Sequence, residues 1–113
     1  MRKKIISYED FEKIEILTGT ILEVKKNEKA RKQSYVLKID FGEEVGIKFS
    51  SAQITNYTIE ELINRQIVAV CNFEKKNIAG IESEVLVLGS IDQSNEVILL
   101  KPDQVVKKGS YVA

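Results

Sequence analysis

The chain has 113 residues, which fits one domain spanning residues 1–113 with a core that needs neither a disulfide nor a metal. Its 17 basic and 17 acidic residues cancel, so it lacks the overall basic excess of dedicated nucleic-acid binders, and a polyanion site would have to come from local clustering. The sequence has no His and one cysteine, Cys71, which excludes a Cys/His metal set, an internal disulfide and the commonest general base.

The N-terminal third predicts a short helix followed by one long strand. The S-x-x-D pattern that begins at Ser7 predicts a helical turn over residues 8–13. Residues 14–25 alternate as a strand, in which Gly19 indicates a bend or a bulge. Residues 25–34, KKNEKARKQS, are polar and basic, and we expect them to form a loop.

Residues 35–50 predict an antiparallel hairpin that turns at Gly42 and the two residues after it. In the second strand of this hairpin apolar and polar residues alternate, so we expect Phe49 to face the core and Lys48 and Ser50 to face outward. The expected strands are residues 35–41 and 45–50.

The second half of the chain predicts one small helix and three further strands. The T-x-x-E capping box that begins at Thr58 predicts a helix over residues 59–64, with Leu62 and Ile63 facing inward. The expected strands span residues 65–73, 83–91 and 96–100, with a loop at 74–80 and a turn at 92–95.

About six short strands, with a helix between the third and the fourth, are typical of a small Greek-key barrel. We therefore predict a mainly all-β fold: a five-stranded OB-type barrel with short helices and extra terminal strands. Residues 65–73 and 83–91 are apolar on both faces, so one outer face must be covered either by the chain's own terminal segments or by another subunit. A homodimer is the simpler account, because the terminal segments are short. No apolar run is long enough for a membrane span, and no signal core follows the N-terminus, so we expect a cytoplasmic protein without membrane insertion.

Catalysis is not expected from this sequence. The paired carboxylates at 9–10, 43–44 and 60–61 fall in predicted helices or turns, where they are interpreted as solvated surface charge. Ser50 and Ser51 have no His to activate them as nucleophiles. We therefore predict a binding protein that is not an enzyme and uses no metal or cofactor.

Two kinds of ligand remain open. The loops at 25–34 and 74–80 flank the same face of an OB barrel, so their cations would form one basic groove with Lys48 between them and Tyr35 as a stacking ring. The alternative is that these lysines are only a solvated loop and that Tyr35 packs in the core. Extended polypeptide is the other ligand, because apolar strand residues rimmed by Ser, Gln and Asn suit an unfolded chain.

The strings DFGEEVGIKFSSAQIT (residues 40–55) and VAVCNFEKKNIAGIESEVLVLG (residues 68–89) resemble the bacterial CsaA proteins, within the tRNA-binding-domain family of OB folds. The likeness also covers YEDFEK at 8–13, TGTI at 18–21 and LLKPDQ at 99–104. It implies a homodimeric, export-related chaperone that binds unfolded precursor proteins and the export ATPase SecA. It also implies a tRNA-binding ancestry, which keeps tRNA as the alternative ligand.

The resemblance also implies the site residues. The expected peptide-binding residues are Lys48, Ser50, Ser51, Gln53, Asn72, Phe73, Ser83 and Glu84. The expected tRNA-binding residues are Lys29, Arg31, Lys32, Tyr35, Lys48, Lys75 and Lys76. For the Ser and Gln residues the alternative is a structural role, in which the polar side chains satisfy buried backbone groups where a strand passes into a loop.

Overall fold

The computed structural model describes residues 2–113, which form short strands and one-turn helices. None of these helices is both long and apolar enough to cross a membrane. The helices are α1 (Tyr8–Glu12), α2 (Gly42–Val45) and α3 (Ile59–Leu62). The strands are β1 (Ile16–Lys26), β2 (Tyr35–Asp40), β3 (Ile47–Ala52), β4 (Gln66–Val70), β5 (Lys76–Ile78), β6 (Ile81–Ser83), β7 (Leu86–Val87), β8 (Gly89–Ile91) and β9 (Val97–Leu99).

Five of the strands form one antiparallel sheet in the order β3-β2-β1-β4-β7, and this sheet curls into a nearly closed barrel. The free edge of β3 meets the chain just after β6, where the Glu84 N–H donates to the Phe49 carbonyl over 2.9 Å. The prediction of a mainly β, five-stranded barrel with short helices is therefore confirmed. Its interior is filled by large apolar side chains, among them Leu17, Ile21, Leu37, Ile39, Phe41, Leu62 and Ile67.

Helix α3 begins where the sequence predicts. The Thr58 hydroxyl accepts the N–H of Glu61 over 3.2 Å, and the Glu61 carboxylate accepts the N–H of Thr58 over 2.9 Å. These two bonds satisfy backbone donors that the first turn leaves free. Leu62 is fully buried, as expected, but Ile63 is exposed because the helix ends at Leu62 and Ile63 is already extended.

The bulge of β1 lies after Ile21, where the pairing with β2 slips by one residue before Glu23, and not at Gly19. The glycine at position 19 is required for a different reason. A Cβ at this position would lie 2.6 Å from side-chain atoms of both Ile39 and Phe41, closer than packing allows. The glycine therefore lets two core side chains pack directly against the β1 backbone.

The facing of β3 is the reverse of the prediction. Ser50 lies opposite Leu37 in the β2–β3 ladder and Lys48 lies opposite Ile39, and directly opposed residues share one face of a sheet. Lys48 and Ser50 consequently point to the interior side, and Phe49 points outward. Alternation defines the two faces of a strand but does not say which face is inside. In β3 the outward face carries the apolar residues Ile47 and Phe49.

The region after β4 also differs from the prediction. The expected loop at 74–80 contains strand β5, which forms a hairpin with β6, and the expected strand at 83–91 is divided among β6, β7 and β8. Ala79 and Gly80 form the tip of the hairpin with positive φ angles of 49° and 84°, as in a type I′ turn. The Asn77 side chain supports the turn by accepting the Gly80 N–H over 3.2 Å.

The C-terminal segment runs beside the first half of β1. The Thr18 N–H donates to the Ser110 carbonyl over 3.0 Å, and the Gly109 N–H donates to the Thr18 carbonyl over 2.8 Å. The expected terminal strand is only a single bridge between Leu17 and Tyr111. Both faces of β4 are buried within this chain, so β4 needs no cover from a second subunit, whereas large apolar residues of β7 and β8 stay exposed.

Candidate ligand groove

A groove of about 820 Å³ lies between the β1–β2 loop and the β5–β6 hairpin, across the outer faces of β2 and β3. Val36, Phe49 and Ile81 form its apolar floor, and the hairpin tip forms one wall. The predicted convergence of the two loops on one face is therefore present in the structure. The groove is lined by Lys25, Lys26, Asn27, Glu28, Lys29, Val36, Phe49, Ala79, Gly80, Ile81, Glu82 and Glu84.

The groove is not a basic channel. Three lysines line it, two at the end of β1 and one in the β1–β2 loop, but three glutamates line it as well: Glu28 in the same loop and Glu82 and Glu84 from the hairpin side. The formal charges of the lining therefore cancel. Such a rim offers hydrogen-bonding groups of both signs over an apolar floor, which suits a chain carrying both N–H and C=O groups.

The carboxylate of Glu84 contacts three other polar groups beside the groove. One carboxylate oxygen accepts the backbone N–H of Phe49 over 3.0 Å. The other oxygen lies 3.8 Å from the Lys48 Nζ and 3.7 Å from the Lys75 Nζ. Lys75 also pairs with Glu82 over 3.8 Å. The structure thus brings together three of the predicted site residues, Lys48, Lys75 and Glu84.

The serines next to Glu84 satisfy backbone groups where β3 meets the chain after β6. Ser50 is only 1% exposed, and its hydroxyl donates to the Val85 carbonyl over 3.1 Å. The hydroxyl of buried Ser83 accepts the Ser51 N–H over 3.1 Å. The expected ligand contact by Ser50 is therefore wrong, because its hydroxyl is buried and already bonded, and Ser83 is committed in the same way.

Asn72 has a structural role, while its expected place in a peptide site stays a prediction. Its amide donates to the Lys13 carbonyl over 2.7 Å, and its carbonyl accepts the Glu15 N–H over 2.9 Å. Both ends of the side chain are therefore committed to the segment before β1. Gln53 and Phe73 are exposed at the surface but do not line the groove.

Tyr35 is not available for stacking on a base, contrary to expectation. The residue is 6% exposed, because it begins β2 on the face that points into the barrel. Its hydroxyl donates to the Tyr57 carbonyl over 2.9 Å. The alternative reading of Tyr35 as core packing is the one that the structure supports.

The predicted tRNA-binding cations are all exposed except Lys48, which is half-buried beside Glu84. Of the five exposed ones only Lys29 lines the groove, and Lys75 is paired with two glutamates. Arg31 and Lys32 stand on the β1–β2 loop, and Lys76 begins β5.

Sequence reasoning missed the apolar floor and the acidic half of the rim. Alternation places Val36 on the outward face of β2, but it assigns Phe49 to the inward face of β3, where the structure does not have it. Ile81 and Glu82 become lining residues only through the β5–β6 hairpin. Among residues 2–113 no group of three or more His, Cys, Asp or Glu is placed to hold a metal ion.

A protein family described as "Putative tRNA binding domain" matches residues 16–111. The chain belongs to this tRNA-binding-domain family. The match includes the whole barrel from β1 to the C-terminal segment that pairs with it. The family assignment made from the sequence strings is therefore confirmed.

Solved structures of the family reproduce this fold. A CsaA chaperone protein from Picrophilus torridus is 51% identical, with a TM-score of 0.92 over 96% of this chain and 100% of that one. A chaperone CsaA from Bacillus anthracis is 42% identical, with a TM-score of 0.91 over 97% of this chain and 100% of that one. The expected CsaA-type barrel of the OB class is confirmed by this likeness.

A relative in a different context is a methionine–tRNA ligase from Pyrococcus horikoshii. It is 38% identical over 107 residues, which are 95% of this chain. The chain spans only 14% of the length of that ligase. The shared part is therefore one region of a much larger enzyme.

Proposed function

We propose that this protein is a CsaA-like chaperone that binds extended, unfolded polypeptide in the groove and has no catalytic activity. The observation that carries the proposal is the composition of the groove, an apolar floor under a rim whose charges cancel. The chain is 51% and 42% identical in sequence to two CsaA chaperones over nearly its whole length, which supports the same conclusion.

The floor provides the binding energy in this proposal. The ring of Phe49 stands outward and is 40% exposed, and Val36 and Ile81 lie in the same groove. Covering apolar surface is the main favourable term in such binding, at about 25 cal/mol per Å². Lysines and glutamates at the rim meet peptide carbonyls, N–H groups and side chains of either charge, so the site accepts many sequences.

Binding of tRNA is the second candidate. Family membership and the likeness to a ligase region favour it, as do the exposed cations on the β1–β2 loop and at the start of the β5–β6 hairpin. In this case exposed cations outside the apolar floor bind the tRNA phosphates. They are Lys29, Arg31, Lys32, Lys75 and Lys76.

The working unit in this proposal is a homodimer in the cytoplasm. Exposed apolar residues cluster on β7, β8 and β9, and both terminal segments carry more of them, including Ile5 and Tyr111. Such surface is unusual for a monomer. A role in protein export, with SecA as a partner, follows from the CsaA resemblance alone.

One titration separates the two ligands. Labelled unfolded polypeptide and labelled tRNA are each titrated at several salt concentrations. Phosphate binding releases counterions, so the logarithm of tRNA affinity falls with the logarithm of salt concentration by about 0.7 to 0.9 per contact. We expect polypeptide affinity to change little. Tight tRNA binding with no measurable polypeptide binding would reverse the order of the two candidates.

A further inference from the structure

Glu84 occupies a position in which an anion is held by one backbone N–H and two ammonium groups. Its carboxylate accepts the Phe49 N–H over 3.0 Å and lies within 3.8 Å of the Lys48 ammonium and 3.7 Å of the Lys75 ammonium. A backbone N–H and two ammonium groups are the donors that a phosphate oxygen takes in proteins. An internal carboxylate thus fills a place with the chemistry of a phosphate site.

We infer that Glu84 is a specificity-determining residue: its negative charge is shared between Lys48 and Lys75 beside the groove, weakens both as phosphate ligands, and thereby favours polypeptide over nucleic acid in the groove. The inference rests on the proposed function, in that the groove is taken as the ligand site. It assigns the discrimination between the two candidate ligands to one side chain.

The burial of Glu84 explains why this residue, and not the nearby Glu82, controls phosphate binding. The side chain of Glu84 is 16% exposed, whereas that of Glu82 is 69% exposed and has one ion pair, with Lys75. Charges in water are screened by salt, but a partly buried charge that is fixed by a hydrogen bond is screened much less. A phosphate that approaches Lys48 therefore meets the full charge of Glu84.

The decisive variant is Glu84→Gln, because the amide oxygen can still accept the Phe49 N–H while the negative charge is lost. The probe is a labelled oligouridylate of about twelve nucleotides, titrated between about 50 and 200 mM salt. We expect tighter binding by about 5-fold for each recovered phosphate contact at 0.1 M salt, hence about 5- to 25-fold. The salt slope should steepen by about 0.7 to 1.4.

Two control variants separate the effect of a negative charge at position 84 from the effect of the net charge of the protein. Glu82→Gln removes the same charge from the same hairpin, and Glu84→Asp keeps the charge at the same position. Both should bind the oligonucleotide with nearly the wild-type slope. An equal gain for Glu82→Gln and Glu84→Gln would overturn the inference, since net charge alone would then be responsible.

A further variant tests whether the gain acts through the two lysines. Substituting both, as Lys48→Met with Lys75→Met, in the Glu84→Gln background should abolish the gain in oligonucleotide binding, because the gain depends on their ammonium groups. A gain that persists without both lysines would overturn the inference. Polypeptide binding, measured on the same variants, tests the proposed function separately, so that either idea can fail alone.

Discussion

The side-chain amide of Asn72 bonds to the backbone on both sides of residue 14, donating to the Lys13 carbonyl over 2.7 Å and accepting the Glu15 N–H over 2.9 Å. The amide therefore replaces a peptide group of a neighbouring strand. It fixes the chain between α1 and β1 to the end of β4.

Replacing Asn72 by Ala should lower the free energy of unfolding by about 1–2 kcal/mol, since two backbone groups lose their partner. Urea unfolding measures this loss. The matched control is Gln53→Ala, which removes an exposed amide and should change stability by less than about 0.5 kcal/mol. A loss of polypeptide affinity in folded Asn72→Ala would contradict the structural role.

Replacing Phe49 by Ser should weaken polypeptide binding about 5- to 30-fold, because the apolar floor of the groove is lost at a cost of about 1–2 kcal/mol. Ile63→Ser is the control, since Ile63 is 41% exposed, close to the 40% of Phe49, but lies outside the groove. Fluorescence anisotropy with a labelled unfolded polypeptide reads both. Equal effects of the two substitutions would remove the groove from the proposal.

The homodimer predicts that sedimentation at micromolar concentration gives the mass of two chains. Substituting Leu86 and Ile91 by Glu places charges on the exposed apolar surface of β7 and β8, and we expect the double variant to sediment as a folded monomer. A monomeric wild-type chain at this concentration would refute the dimer.

The ion pair of Asp40 with Lys108 predicts a pH dependence of stability. The Lys108 ammonium, 2.7 Å away, is the main cause that lowers the pKa of Asp40 below its ordinary value of 3.8, and the Gly42 N–H adds to it. Because the folded pKa is depressed, the stabilisation is complete above about pH 4 and is lost as the pH falls through the folded pKa. Both side chains are partly exposed, so it amounts to about 0.5–1 kcal/mol.

The Asp40→Asn variant tests this dependence. Urea unfolding at neutral pH should show the deficit against the wild type, and the deficit should shrink towards about pH 3. A difference that stays constant over this range would show that the carboxylate charge does not contribute.

Cys71 should be unreactive in the folded protein. Burial raises the pKa of its thiol to about 11 from an ordinary 9.0, and the carboxylate of Glu15 adds to the shift. At neutral pH the thiolate is then about 100-fold scarcer than in the unfolded chain. Reaction with a disulfide reagent should accelerate on adding urea, and equal rates with and without urea would be the contrary result.

The barrel could be predicted because its signals are local. The capping box at Thr58 and the alternation of β2 each depend on residues close in sequence, and both recur in the structure. The β5–β6 hairpin was missed because its tip has Ala79 where Asn or Gly is usual at a positive φ.

The site was harder to predict, since it depends on which face of β3 is inside. Hydrophobic alternation is the same for both choices, and only the pairing of Ser50 with Leu37 decides between them. The structural roles of Asn72 and Tyr35 are hidden in the sequence for a related reason: their hydrogen-bond partners, Lys13 and Tyr57, are remote in sequence and are known only once the chain is folded.

Two amide hydrogens at the edge of β3 are met by side-chain oxygens, the Phe49 N–H by Glu84 and the Ser51 N–H by Ser83. Elsewhere in a sheet the partners are peptide groups, which no codon change can alter. This junction is therefore the part of the barrel wall that single substitutions can rewrite, so closure of the cylinder and ligand preference can evolve there together.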